Sequence, residues 1–172
     1  MENSDKNALL FKSLAALSRK SAFNEISISA LCIRAGVSRM YFYRHFDTFD
    51  DIITQRINDD FLYFLRLIDH HNINNPEAII KTFFQVLEPD LPELSTFLKS
   101  DRADLIQTIF QNDLNELSKV EALPFPKIQN PYWKVFTSGG LTRILVTWFG
   151  KDKPESANEM GKLVSEIVTN PF

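Results

Sequence analysis

An all-α protein of about nine helices is what this sequence predicts, and three observations lead there. Glycine and proline are scarce, at 5 and 8 of 172 residues, so the turn chemistry that a many-stranded fold needs is thin. Phenylalanine dominates the aromatic residues, 15 against 2 tryptophans and 4 tyrosines, which suits long helices around a bulky core. Apolar residues recur at three- and four-residue spacings in one segment after another, the period of a helix with one buried face. With 44% apolar and 24% charged residues, the composition excludes disorder, collagen and a disulfide scaffold, and Cys32 has no second cysteine to pair with. No apolar run approaches about 18 residues. The start MENSDKNALL lacks a signal peptide's apolar stretch, so the expectation is a soluble, cytoplasmic protein without a membrane partner.

The elements follow in order. Leu10, Leu14 and Leu17 stripe a first helix over residues 5 to 22. Ser27 is a good N-cap for a short second helix, Ile28 to Ala35, with Ile28, Leu31, Cys32 and Ala35 on one face and Gly36 as its stop. Ser38 then caps a third helix, Arg39 to His45, closed by Phe46, in which Phe42 and Phe46 dock inward while Arg39, Met40, Tyr43 and Arg44 face outward. Gly36 can take the positive φ of the intervening turn and Val37 can plug the angle, which together make a helix-turn-helix signature.

Thr48 with Asp51 resembles a capping box opening a long fourth helix. Ile53, Ile57 and Phe61 stripe its first half, and FLYFLRLI at 61 to 68 is apolar nearly all round, so this helix should pass from the head into the core of the body. A fifth helix over 77 to 87 buries Ile80, Phe83, Phe84 and Leu87, and a short sixth spans 91 to 99. The seventh, 102 to 119, repeats Ile106, Ile109, Phe110, Leu114 and Leu117 before LPFPKIQNP imposes a constrained loop. The eighth covers 132 to 149. A ninth, capped by Ser156 with Glu159, is striped by Met160, Leu163, Val164, Ile167 and Val168. Gly139 and Gly140 should cost the eighth helix about 1 kcal/mol each against alanine, so a close helix approach or a local break should require them, with a dimer seam preferred.

Charge is unevenly spread. The net charge is −3, but residues 1 to 46 carry seven Lys or Arg against three acids, or +4, which leaves −7 on the other 126 residues. A basic head on an acidic body is expected where only the head meets phosphate.

Catalytic patterns are wanting: there is no nucleophile elbow, Walker A loop, HExxH or CxxC pair, so no enzyme, metal site or cofactor is expected. His70 and His71 read as a solvated helix end, and Cys32 as a small core residue. The segment ISISALCIRAGVSRMYFYRHF is different, because a helix of this length fits the major groove and its outer residues can hold phosphate or read bases.

That segment resembles the helix-turn-helix of the TetR family of bacterial transcriptional regulators, in the cap Ser27, in RAGVSR at 34 to 39 and in FYRHF at 42 to 46. The match covers about a quarter of the chain, and FTSGGLTRILVTWFGKDKPESANEM at 136 to 160 looks like the last two helices of one branch. The resemblance implies a DNA-binding domain over residues 1–48 and a helical ligand-binding and dimerisation domain over 49–172. It implies that Ser27, Tyr43 and His45 touch phosphates, that Ser38, Arg39, Met40, Tyr41 and Arg44 occupy the base-facing or backbone-facing part of the recognition helix, and that Thr48 belongs to the same DNA-binding set. Arg39 and Arg44 can each make a bidentate guanine contact worth roughly 1–3 kcal/mol of discrimination, or meet phosphate only. The sequence departs from the pattern at Phe49, where the family often has a phosphate-gripping lysine.

For the body, the resemblance implies a cavity for a small organic effector and a homodimer built from the last two helices, hence a palindromic double-stranded operator. Phe61, Phe64, Phe83, Phe84, Phe97, Phe110, Trp133 and Phe136 are the candidate lining. The same rings also serve as plain core, and the pattern alone does not separate the two. The expected function is a ligand-responsive repressor; the alternatives are a protein-interaction partner of the same fold with weakened DNA contact, and a small-molecule carrier or enzyme.

Overall fold

The computed structural model describes residues 3–120, 123–149 and 155–169. Among them nine α-helices and two single 3₁₀ turns occur and no strand: α1 (Asn3–Ser18), α2 (Ile28–Ala35), α3 (Arg39–His45), α4 (Phe49–His70), α5 (Pro76–Leu87), α6 (Leu91–Leu98), α7 (Ala103–Leu117), α8 (Pro131–Phe149) and α9 (Ala157–Thr169). The fold is all-α, as the spacing of apolar residues requires.

Helix starts follow local chemistry. The Ser27 hydroxyl accepts the Ala30 N–H at 3.1 Å and the Ser38 hydroxyl accepts that of Tyr41 at 3.1 Å, each filling one of the donors that a first turn leaves unpaired. At α4 the capping box is complete: Thr48 accepts from the Asp51 N–H at 3.2 Å, and the Asp51 carboxylate accepts from the Thr48 and Asp47 N–H groups at 2.7 and 3.0 Å. Asn75 caps α5 and Pro76 fills its first position, so that helix starts one residue before the expected 77. Asn130 does the same for α8, accepting from the Tyr132 and Trp133 N–H groups.

The first helix is shorter than the expected 5 to 22. It starts at Asn3 and stops at Ser18, whose hydroxyl turns back to donate to the Leu14 carbonyl at 2.8 Å. A 3₁₀ turn over Phe23–Glu25 then brings Phe23 onto the core, its Ala22 N–H held by the Glu25 carboxylate at 3.2 Å. The seventh helix likewise ends at Leu117 rather than 119, because Lys119 and Val120 close it with tighter turns onto the Glu116 and Leu117 carbonyls.

Two groups of helices share one continuous apolar core. In the head, α1 packs on α2, α2 on α3, and the first half of α4 on α1. In the body, α4 packs on α5 and α7, α7 on α8, and α5 runs along α9 in the most extensive pairing of all. A second seam joins the groups where α1 lies on α6: Phe11 meets Phe97 at 5.4 Å between ring centroids, and Arg19 donates to Thr96 Oγ1 and the Pro92 carbonyl at 2.9 and 2.7 Å.

Close approach of α9 to α5 depends on Gly161. A Cβ there would stand 2.7 Å from Lys81 Cβ and 3.0 Å from both Lys81 Cα and the Glu77 carbonyl oxygen. Two of those three atoms are backbone, which gives way poorly. Gly140 is the opposite case, since among the described residues nothing stands near its missing Cβ and α8 continues unbroken through it. Gly139 is in ordinary contact range of Gln107. Among the described residues, packing requires neither glycine. Gly161→Ala should lower stability by about 1–3 kcal/mol, the usual cost of overpacking, in thermal melts followed by circular dichroism, and an unchanged melting point would show that α5 and α9 are not this close.

Candidate nucleic-acid interface and body cavity

Gly36 sits at φ 65°, a left-handed conformation that L side chains rarely adopt, and its N–H closes onto the Cys32 and Ile33 carbonyls. This turn sets α3 across α2, with Val37 buried in the angle. The inner face of α3 is fixed by Phe42 and Phe46, fully or nearly buried, and Phe42 packs against Phe49 at 6.0 Å. What remains outside is polar, basic and unusually exposed: Met40 is 71% and Tyr43 62% exposed, with Ser38, Arg39, Arg44, His45 and Thr48 also on the surface. Ser27 is exposed at the start of α2, and Arg39 reaches back to Ser29 at 3.5 Å.

Tyr41 differs from the expectation that it faces outward. It is buried against α1, donating its hydroxyl to Asn7 Oδ1 at 2.9 Å under the Lys6 ammonium, which lies 4.8 Å above the ring. Helix periodicity alone does not decide this, because Tyr43 stands the same 100° from Phe42 and is exposed; what covers Tyr41 is α1, through Asn7 and Lys6. The His45 ring stacks on Tyr41 at 4.1 Å, and its Nδ1 lies 2.8 Å from the Tyr41 carbonyl oxygen. A carbonyl only accepts, so Nδ1 carries a proton, and Nε2 is left for an outside partner, to which it donates only in the doubly protonated ring.

Phe49 is half-buried among Phe23 and Phe42 rather than standing as a vacant grip. Arg102 lies 4.2 Å over the neighbouring Phe23 ring and is bound to Asp50 at 2.6 Å and Asp101 at 2.7 Å. Arg19 is similarly committed to α6.

In the body, α4, α5, α7, α8 and α9 surround a cavity of about 60 Å³. Of the aromatic residues read from sequence, Phe61, Phe64, Phe83, Phe110 and Trp133 line it. Three do not. Phe84 is buried on the other side of α5 against Trp148 at 5.1 Å, Phe97 packs into the α1–α6 seam, and Phe136 is 53% exposed on the outer face of α8. Phe125 from the proline-rich loop joins the lining, as do two polar residues that sequence patterning missed, Asp113 and Thr137. Burial pushes the Asp113 carboxyl up to about 7, with the nearby Glu116 charge adding to the effect.

A second displaced carboxyl lies where head meets body. Arg56 binds Asp60 at 3.1 Å and also Asp90, so one guanidinium serves two buried carboxylates. The second oxygen of Asp60 is buried with no hydrogen-bond partner among the described residues. Burial pushes Asp60 up to about 7; Arg56 opposes this, while Asp90 and Asp59 reinforce it. Among the described residues no group of three His, Cys, Asp or Glu could hold a metal, and no helix is long and apolar enough to cross a membrane. Cys32 is buried, and burial raises its thiol against the opposing Arg39 charge, so it is a core residue. His70 and His71 are exposed at the end of α4.

The arrangement of the helices is a TetR-like fold. Solved structures with this fold include Lin0861 from Listeria innocua (TM-score 0.75, 18% identity, covering 95% of this chain and 88% of that one) and the fatty acid degradation regulator FadR from Bacillus halodurans (TM-score 0.66, 15% identity, 100% and 98%). A TetR transcriptional regulator from Streptococcus agalactiae is also similar, with TM-score 0.59, 15% identity and coverage of 97% and 95%. No family model matches the sequence, and no curated protein does. At such identities the likeness is one of fold.

The two displaced carboxyls set a pH dependence. Each binds its proton more tightly folded, near 7, than unfolded, near 3.8, so folding takes up protons between those values and stability falls as pH rises through about 4 to 7. Asp51 works the other way: burial pushes it up, but the bonds from Thr48 and Asp47 outweigh burial, and the stability it adds is lost only as pH falls below about 4. The melting temperature should therefore rise by a few degrees between pH 8 and pH 5.5. The double variant Asp60→Asn, Asp113→Asn should flatten that rise; an unchanged profile would contradict these assignments.

Proposed function

We propose that the protein is a sequence-specific DNA-binding transcription regulator that acts as a homodimer and represses until a small organic effector binds. Residues 1–48 serve as the reading head and 49–172 as the sensing and dimerising body. The observation that carries the proposal is the outer face of α3, where Met40, Tyr43 and the flanking Ser38, Arg39 and Arg44 stand in solvent while Phe42 and Phe46 lock the helix from behind. A stable fold gains nothing from such an exposed tyrosine and methionine, whereas a groove-reading helix needs both phosphate ligands and base-edge contacts. Ser27, Tyr43, His45 and Thr48 are assigned to the backbone, and Arg39, Met40 and Arg44 to the groove.

Dimerisation is supported by an uncovered apolar strip on α8 and α9. Tyr132, Val135 and Phe136 are exposed on α8, and Leu163 and Ile167 on α9, with half-buried Ile144 between them and Gly140 bare in the same strip. A twofold axis through this strip would pair two heads, and a palindromic operator follows if their α3 helices lie about 34–36 Å apart. An effector that fits one tilt of α4 better than another would change that spacing, and a coupling of about 1–3 kcal/mol is enough to release the operator. Phe49 favours a second reading, a co-regulator that keeps this fold but grips DNA weakly, because its side chain is used inside the head and offers no charge.

Titration of operator fragments selected from random duplexes tests the proposal. Tyr43→Phe and His45→Ala should weaken all sequences about equally. Arg39→Ala should also relax preference at one base pair, at a cost of about 1–3 kcal/mol. With four to six phosphates neutralised per dimer, log affinity should fall with log salt at a slope of about −4 to −5. Phe136→Glu should give single chains in sedimentation and lose the operator. Salt-independent binding, or no selected sequence at all, would leave the co-regulator reading in its place.

A further inference from the structure

His45 ends the outer face of α3 with one of its two ring nitrogens already used inside the chain. Nδ1 donates to the Tyr41 carbonyl oxygen at 2.8 Å, and the ring stacks on Tyr41, 4.1 Å between centroids and 25° between planes. Tyr41 is itself held, because it is buried against α1 and its hydroxyl donates to Asn7 Oδ1 at 2.9 Å. The imidazole is thus kept in one orientation, and its free nitrogen, Nε2, belongs to an exposed residue.

This orientation decides the ring's protonation chemistry. With the proton on Nδ1, a neutral ring has a bare lone pair at Nε2 and can only accept there. A phosphate oxygen can only accept too. The two repel unless Nε2 gains a proton, and the resulting imidazolium both donates to the phosphate and carries the charge that pairs with it. Among the described residues no carboxylate forms an ion pair with His45.

The charges around the ring oppose that second proton until DNA arrives. On α1, the Lys6 ammonium lies 4.8 Å over the Tyr41 ring and so no more than about 9 Å from the His45 ring centre, inside the screening length of about 10 Å at 0.1 M salt. Arg44 adjoins His45 on α3, and Arg34 stands in the last turn of α2, which packs on α3. Against these three cations are Asp5 in the first turn of α1 and Asp47 just past α3. Cys32 and Tyr41 add no charge, since burial raises both. Cations outnumber acids, so an approaching phosphate reverses the balance in favour of the charged ring.

We propose that His45 takes up a proton as the head seats on a DNA backbone phosphate and returns it on release, so that DNA binding tightens as pH falls from 8 to 6. An imidazole changes charge within about pH 5 to 8, whereas arginine and lysine contacts do not respond in that range. The proposal rests on reading α3 as the DNA-binding face and makes the proton a second ligand of that face. By linkage, affinity rises on acidification in proportion to the protons taken up.

The full chain with a mixed-sequence duplex of about 30 base pairs in 50 mM salt suits the test, because a phosphate contact needs no particular operator. Affinity should be at least about five-fold higher at pH 6 than at pH 8, and calorimetry at pH 7 in buffers of different ionisation heat should show about half a proton or more bound per head. The Nε2 resonance of His45, identified among the three histidines by its loss in His45→Gln, should move to the doubly protonated position when duplex is added at pH 7.5. His45→Gln donates an amide hydrogen at every pH, so it should still bind at pH 8 but lose the pH dependence and the proton uptake. His45→Lys, charged throughout, should bind about equally at both pH values. A pH-independent parent, absence of proton uptake, an unmoved Nε2 resonance, or a pH dependence that survives in His45→Gln would each overturn the proposal and leave the DNA-binding reading in place. No binding of the duplex at either pH would remove that reading and this proposal with it.

Discussion

One uninterrupted helix carries both the last support of the head and a wall of the body's cavity. Along the 22 residues of α4 there is no glycine or proline at which it could bend. Ile53 and Ile57 are buried in the head, Phe64 and Ile68 in the body, and each such side chain contributes about 1.5–3 kcal/mol by leaving water. Between the two sets, the Arg56 guanidinium joins α4 to the Asp90 turn before α6, while Arg102 ties the helix's first turn to the start of α7. A displacement at Phe64 is therefore resisted locally and passed along the helix. The α1–α6 seam, with Phe11 on Phe97 and Arg19 on Thr96, adds a second attachment that keeps the head from swinging freely.

The polar groups that bear on the fold divide by what they do for it. Ser27, Ser38 and Thr48 satisfy helix starts and cost nothing in burial. Asp60 and Asp113 are different, because burial holds both near neutrality and each is destabilising while ionised. Carboxyls kept in such places, one at the head–body crossing and one in the cavity wall, mark the positions where the molecule gives up stability for something else.

Much of the head was legible in the sequence because its signals are local. The caps Ser27 and Ser38, the stop at Gly36 and the inward pair Phe42 and Phe46 each act within a few residues, and the structure uses every one of them. Tyr41 was misread because the contact that covers it comes from Asn7, 34 residues away. The body was legible only as helices. Periodicity shows that Phe83 and Phe84 are both apolar positions of α5, but one faces the cavity and the other Trp148, a distinction made by which helix lies alongside. Gly161 and Asp113 carried no local signal at all, since a glycine at a helix crossing and an acid in a helix read as ordinary surface until their neighbours are known. Phe49 was read as a missing cation, whereas its role is set by Phe23, carried inward by a 3₁₀ turn that the sequence did not announce.

The central claim, that head and body are held by α4 as one unit, is tested most directly by native-state amide hydrogen exchange along residues 53 to 68. If the helix is a continuous strut, the amides from Ile57 to Phe64, on either side of the Arg56–Asp60 crossing, should exchange only with the slowest class, through global unfolding. Fast exchange confined to that middle stretch, with slow exchange on both sides, would mean that α4 opens as a hinge and that the cavity and α3 move independently.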